Sequence, residues 1–230
     1  MKEQIRKIVL SYGADLCGFA STDRFVDAPF GYKPTDIYSE CKSVISFAVA
    51  LPQGLAKVNP RFIYGHFNNI SCPETDTVAF KSAKKIEDSF RCTAVPIPCD
   101  SPYEYWDSDK MEGRGLLSMK HLAVQAGLGS IGKNTLFMNR RFGNMVTLGA
   151  ILTDLELQSD TLSESICINQ CRKCIESCPV SAIDNGSVNQ KACREHTYGK
   201  SKRGFDTVDC NRCRTVCPMN YATARNSSKK

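Results

Sequence analysis

No stretch of this 230-residue sequence approaches the ~20 consecutive apolar residues that a membrane-crossing helix needs, so no membrane partner is expected. Met1 to Leu10 interleave charge with apolar positions and lack both the apolar core and the small-residue cleavage site of a secretory signal. A strong excess of one charge is lacking as well, since 30 Lys and Arg stand against 24 Asp and Glu for a formal net charge of +6. These absences indicate a cytoplasmic protein in a reducing compartment. A 42% hydrophobic content is enough for an ordinary core, and the length suits one compact domain and a smaller second one. What the sequence does not lack is cysteine, with thirteen.

Five of these, Cys17, Cys41, Cys72, Cys92 and Cys99, are scattered without a pairing motif and read as small buried hydrophobes. The other eight form two sets between Cys167 and Cys217, each closing on a Cys-Pro pair, Cys178-Pro179 and Cys217-Pro218. A four-iron, four-sulfide cubane needs four thiolates converging from different directions. In ferredoxin spacing a short loop supplies three, and the Cys before proline ligates the other cluster. Proline fixes its own φ and pushes the preceding residue out of the helical region, which turns that thiolate away from its own loop. The spacing therefore assigns Cys167, Cys171, Cys174 and Cys217 to one [4Fe–4S] cluster and Cys178, Cys193, Cys210 and Cys213 to the other.

One departure concerns Cys167: Ile168, Asn169 and Gln170 make a three-residue gap where two is usual. Cys₄ zinc sites also use short Cys pairs, but two triplets each ending in Cys-Pro favour iron–sulfur. A disulfide framework is disfavoured by the absent secretory signal. Residues 183–188 spell a short hairpin around Asn185-Gly186. Eight thiolates and two oxidised cores of about +2 each would bring the formal +6 down to about +2, so charge alone does not call for a nucleic acid.

Upstream, the pattern predicts a helix over residues 2–12, a strand over 15–20 and a loop over 21–40. The near-continuous apolar run 43–51 predicts a strand buried on both faces, central in its sheet. Residues 59–71 are polar and aromatic without clear period, and a helix is expected over 74–90. Two prolines place the strand 92–99 at an edge. The stretch 100–115, with Tyr103, Tyr105, Trp106, Asp107, Asp109 and Glu112, is irregular and suits a lid or a solvated loop. A helix over 116–126, a strand over 146–153 and an acidic linker over 154–164 complete the reading.

Gly127-Leu-Gly-Ser-Ile-Gly132-Lys133-Asn134 has the letters of a dinucleotide fingerprint, but a helix precedes it where that motif needs a strand. It nearly spells a P-loop, but Asn134 stands where Ser or Thr must reach magnesium. The glycines would still permit close backbone approach to a flat or anionic ligand, with Lys133 as counter-charge. Gly127, Gly129, Ser130, Ile131, Gly132, Lys133 and Asn134 are thus the candidate cofactor-binding residues. The competing reading is a helix-to-strand corner where side chains would clash.

Ala126-Gly-Leu-Gly-Ser-Ile-Gly-Lys-Asn-Thr-Leu136, Gly143, Leu148-Gly-Ala-Ile-Leu-Thr-Asp154 and the paired cluster motifs together resemble the epoxyqueuosine reductase family, relatives of the corrinoid-dependent reductive dehalogenases. Tyr12-Gly-Ala-Asp-Leu-Cys-Gly-Phe-Ala20 and Lys42-Ser-Val-Ile-Ser-Phe47 resemble that family's opening strands. The resemblance implies an α+β chain: an α/β sandwich-like, nitroreductase-like domain over residues 1–160, a ferredoxin-like 2[4Fe–4S] domain over 161–220, and a flexible tail over 221–230. It implies two clusters passing electrons to cobalamin for a reductive reaction, with a ferredoxin- or flavodoxin-type protein as donor and a small molecule as substrate. The family's C-terminal helical-repeat domain is missing, so the chain is expected to be a short member with tRNA disfavoured as partner. The family's catalytic aspartate would fall at Gly113, leaving the catalytic acid unknown, with the 100–121 segment, Tyr64 and His66 as candidate proton donors. The alternative is a non-catalytic electron-transfer protein whose N-terminal domain binds a partner protein.

Overall fold

The computed structural model describes residues 1–221, so most of the expected tail over 221–230 lies outside the described residues. In chain order the elements are α1 (Lys2–Ser11), β1 (Leu16–Ser21), α2 (Pro34–Ile37), β2 (Ser43–Ala50), α3 (Gly65–Phe90), β3 (Ala94–Ile97), β4 (Tyr105–Asp107), β5 (Glu112–Arg114), α4 (Met119–Gln125), β6 (Ser130–Ile131), β7 (Phe137–Met138) and β8 (Val146–Thr153). The cysteine-rich segment follows with α5 (Lys173–Glu176), β9 (Ile183–Asp184), β10 (Ser187–Val188), α6 (Gln190–Thr197), β11 (Tyr198–Lys200), β12 (Asp206–Val208) and α7 (Arg212–Thr215).

The main sheet has the order β1-β2-β8-β3, with every neighbour antiparallel. Side chains alternate across a strand, so each strand of a sheet covered on both sides must be apolar at nearly every position. β2 meets that requirement. Ile45 and Phe47 pack with Ile5 and Val9 of α1 and with Val78 and Ile86 of α3. On the other face Val44 packs with Leu122 of α4, Ala126 and Leu152. Each such fully buried side chain contributes about 1.5–3 kcal/mol of transfer free energy. Gly149 of β8 lies opposite Phe47 in the register, and any side chain there would strike the Phe47 ring.

Two expectations are corrected. α3 begins at Gly65 and runs 26 residues through Pro73, preceded by a π-helical turn over Pro60–Tyr64, so residues 59–71 are mostly helix. Proline removes one N–H from a helix interior, and Pro73 stands directly before the expected helix start at residue 74. It is exposed, so water can take up the carbonyl it leaves unpaired. The segment 155–161 is not a loose linker, because it lines the free edge of β1. Ser21 N–H donates to Ser159 Oγ at 2.8 Å, Asp160 N–H to Phe19 O at 2.9 Å, and Phe19 N–H to Asp160 Oδ2 at 3.2 Å. Lys2 and Arg6 pair with the same carboxylate at 2.6 and 3.1 Å. Covering an edge in this way removes a template for unwanted strand pairing. Among the described residues no helix is long and apolar enough to cross a membrane.

Candidate metal centre

The cysteine-rich segment is built of short pieces with little core of its own. None of α5, α6 and α7 buries a residue fully, and Ala182, Ile183, Thr207 and Val208 are the buried positions between residues 167 and 217. Cys174 sits on α5 and Cys213 on α7, with a Cys-Pro step shortly after each helix. A small pocket has Cys167, Cys171, Cys174 and Cys217 in its walls. Cys217 therefore leaves its own triplet and joins the first, the crossing that a residue held extended before proline produces. Burial pushes the Cys217 thiol up, and negative charge on Cys167, Cys174 or Cys171 would push it further. Burial also raises Cys174.

In the second group, burial pushes Cys213 up to about 11, with Cys193 and Cys210 among the thiols that act on it. Cys178 accepts a hydrogen bond from Ala182 N–H at 3.2 Å. Among the described residues, no three His, Cys, Asp or Glu side chains are drawn together tightly enough to hold a single metal ion.

The glycine stretch meets this segment directly. Gly127 has φ +74°, and a Cβ there would collide with Thr161 O; a Cβ at Gly129 would collide with Met138 O. The close approach these glycines allow is to the chain's own backbone, which corrects the reading of an open cradle for a flat ligand. Ser130 and Ile131 pair with Met138 and Phe137 in the β6–β7 ribbon, and Gly132 N–H bonds Leu136 O. Lys133 is not free to serve an anion. Its Nζ donates to Ile168 O at 3.2 Å, to Cys171 O at 3.1 Å, and to Asn169 O. Asn134 is 4% exposed and donates from Nδ2 to Cys213 O at 2.9 Å, while its Oδ1 accepts from Leu136 N–H. Both residues line the four-cysteine cavity. One dipeptide thus holds loops from both cysteine sets.

Two further holding residues escape sequence reasoning. Asn144 is 1% exposed and donates to Arg214 O at 3.2 Å, while Arg214 Nη1 donates back to Asn144 O. Asn139 caps the adjacent turn by accepting from Arg141 and Phe142 N–H, both at 2.8 Å. Asn144 and Arg214 lie seventy positions apart, and no local pattern links them. The 100–115 stretch forms the β4–β5 hairpin. Tyr103 and Trp106 stack at 5.8 Å, and the Arg194 guanidinium of α6, next to Cys193, lies over both rings. Of the candidate proton donors, Tyr64 is buried and His66 exposed, while Glu112 beside Gly113 is paired with Arg114 at 3.0 Å.

No family model matches the chain. In sequence it is similar to the epoxyqueuosine reductases. It is 25% identical to that of Bacillus subtilis over 96% of this chain and 64% of the relative, and 28% identical to that of Bacillus anthracis over 95% and 65%. The chain spans a little under two thirds of the length of these curated relatives. Among solved structures, it shares a fold with an epoxyqueuosine reductase bound to an epoxyqueuosine-modified tRNA stem loop, with TM-score 0.65, 20% identity, and coverage of 95% of this chain and 65% of that one. It also shares a fold with a catabolic reductive dehalogenase, with TM-score 0.71, 18% identity, and coverage of 95% and 31%. The relative caught with a tRNA stem loop overturns the ranking of tRNA as a disfavoured partner, which rested on near-neutral charge and a missing domain. A small net charge does not preclude a local nucleic-acid surface.

Proposed function

We propose that the chain is the iron–sulfur reductase portion of an epoxyqueuosine-reductase-like enzyme, working in a reducing cytoplasm. Residues 1–160 form the substrate- and acceptor-bearing part, and residues 161–220 form a ferredoxin-like electron-transfer part. The observation that carries this is the convergence of Cys167, Cys171 and Cys174 with the distant Cys217 around one cavity, in a chain similar to epoxyqueuosine reductases. The donor set fits a polynuclear cluster: four thiols of soft character in the walls of one pocket. Cys167, Cys171, Cys174 and Cys217 would hold one [4Fe–4S] cluster, and Cys178, Cys193, Cys210 and Cys213 the other. When bound, such clusters carry single electrons.

The chain's own residues then have definable work. Lys133 neutralises three loop carbonyls beside the first cavity and fixes the loop that presents Cys171. Asn134 fixes the backbone at Cys213, in the other set. Met138, Ile168 and Pro218 make the cavity wall partly apolar, which limits water and so influences potential. Electrons would arrive from a ferredoxin- or flavodoxin-type protein.

Cobalamin, the expected acceptor, does not fit residues 127–134, whose glycine spaces are filled by Thr161 and Met138. A solved relative described as a structure for B12-dependent dehalogenation, with TM-score 0.71 and 17% identity, keeps a corrinoid as the candidate acceptor elsewhere in the chain. A tRNA stem loop is the candidate carrier of the substrate base.

The test is anaerobic purification with iron analysis. About eight irons per chain with a broad visible band is the expected result; colourless, zinc-loaded material would end the redox reading. A second reading, a non-catalytic electron carrier, is favoured by Gly113 standing where the family's acid is expected. Added cobalamin separates the two readings: a spectral change on binding supports the reductase, and none supports the carrier.

A further inference from the structure

Cys72 and Cys99 lie outside the eight-cysteine segment, and the sequence pattern gave them no role. Cys72 is on α3, immediately before Pro73, and Cys99 follows β3 at the root of the 100–115 hairpin. Residue 99 is pinned over one turn of α3. Its N–H donates to Asp76 Oδ1 at 2.9 Å, and its thiol to Cys72 O at 3.5 Å. Each of the two thiols shifts the other's ionisation. Both are partly exposed, unlike Cys17 and Cys41, which are buried. Asp76 and Asp100 flank the pair.

We propose that Cys72 and Cys99 form a reversible dithiol–disulfide site that reacts with small cationic disulfides in preference to anionic ones, with Cys72 as nucleophile and Cys99 as resolving thiol. Cys99 Sγ already lies against the Cys72 backbone, so closure needs the two sulfurs to meet without a long backbone movement. The roles follow from the hydrogen bond. The Cys99 thiol has its proton engaged on Cys72 O, which leaves Cys72 the thiol more easily ionised, the direction in which the two are shifted. The Cys72 thiolate attacks one sulfur of the external disulfide and forms a mixed disulfide as one thiolate leaves. Cys99 gives up its proton, attacks the Cys72 sulfur and expels the second thiolate. Two protein thiols are oxidised and one disulfide is reduced to two thiols. Two carboxylates beside the pair repel an anionic reagent and attract a cationic one. Closure staples the hairpin root to α3, on the same hairpin whose Tyr103 and Trp106 hold Arg194.

The test uses the anaerobically purified full chain exposed to cystamine, quenched by alkylation and mapped by peptide mass spectrometry. A joined 72–99 peptide, two hydrogens lighter and restored by dithiothreitol, is expected, while the buried Cys17 and Cys41 stay unmodified on that timescale. Cys99→Ser should stop at a cystamine adduct on Cys72. At low salt, cystamine should react several-fold faster than oxidised glutathione, and the gap should narrow as salt rises. Separate adducts on both thiols without closure, or no joined peptide in the wild type, would overturn the site; equal rates for the two reagents would overturn the charge preference. The wild-type map decides even where a variant misfolds, and it does not depend on the iron–sulfur reading.

Discussion

The two parts of this chain use the same residue for opposite purposes. In the sheet region Cys17 and Cys41 are buried among apolar side chains, with burial pushing their thiols up to about 12 and about 11. There cysteine is a small hydrophobe. In the segment from Cys167 to Cys217 every cysteine is partly exposed, and few apolar side chains around them are fully buried. The first region closes on burial of Phe47, Ile45, Ile86 and their neighbours. The second has little core of its own, so on the proposed reading its stability would come from the clusters its thiols hold and from the residues that clasp it.

The sharpest way to break that contrast is to withhold iron. Metal-free chain should lose amide-exchange protection throughout residues 167–217 while β2 and β8 keep theirs, because ligand binding there is folding free energy. Equal protection with and without iron would erase the distinction. Next in size is Phe47→Ala, which should destabilise the sheet by about 3–5 kcal/mol in urea unfolding through the cavity it leaves against Gly149 and α3.

Lys133→Met should cost about 1.5–3 kcal/mol locally by leaving carbonyls of residues 168, 169 and 171 without their charged donor. The measurement is faster iron loss to a chelator at an unchanged melting temperature of the sheet. The last effect is absent at neutral pH and appears only in alkali. Folded Cys17 and Cys41 hold their protons above the ordinary thiol value of 9.0, so the folded state binds more protons than the unfolded one between about 9 and about 12. Stability is therefore whole below pH 9 and falls as pH rises through that window, by at most about 1.4 kcal/mol per pH unit for each thiol. Cys17→Ala should flatten part of that slope.

Some of this was legible from the letters. The apolar run at 43–51 marked β2 as a central strand, because a strand covered on both faces can afford almost no polar position. Pro96 and Pro98 marked β3 as an edge strand, since proline cannot donate to a second neighbour. The proline after Cys217 suggested that it turns toward the first triplet, and Cys217 shares a pocket wall with Cys167, Cys171 and Cys174. What stayed hidden depends on distance in the chain. Nothing in Gly-Lys-Asn says that Lys133 reaches the carbonyls at 168–171, or that Asn134 reaches Cys213. The start of α3 stayed hidden because Pro73 carries the signature of a boundary while sitting on a solvent face that forgives it.

The order of strands in the sheet has a consequence for synthesis. β8 is the last of the four in sequence but stands between β2 and β3, so the sheet cannot be completed until Thr153 has left the ribosome. Cys167 follows only fourteen positions later, and Lys133 and Asn134 have by then been made. Each nascent cysteine loop emerges onto a surface that already carries its anchoring donors, so the fold is templated from its N-terminal side.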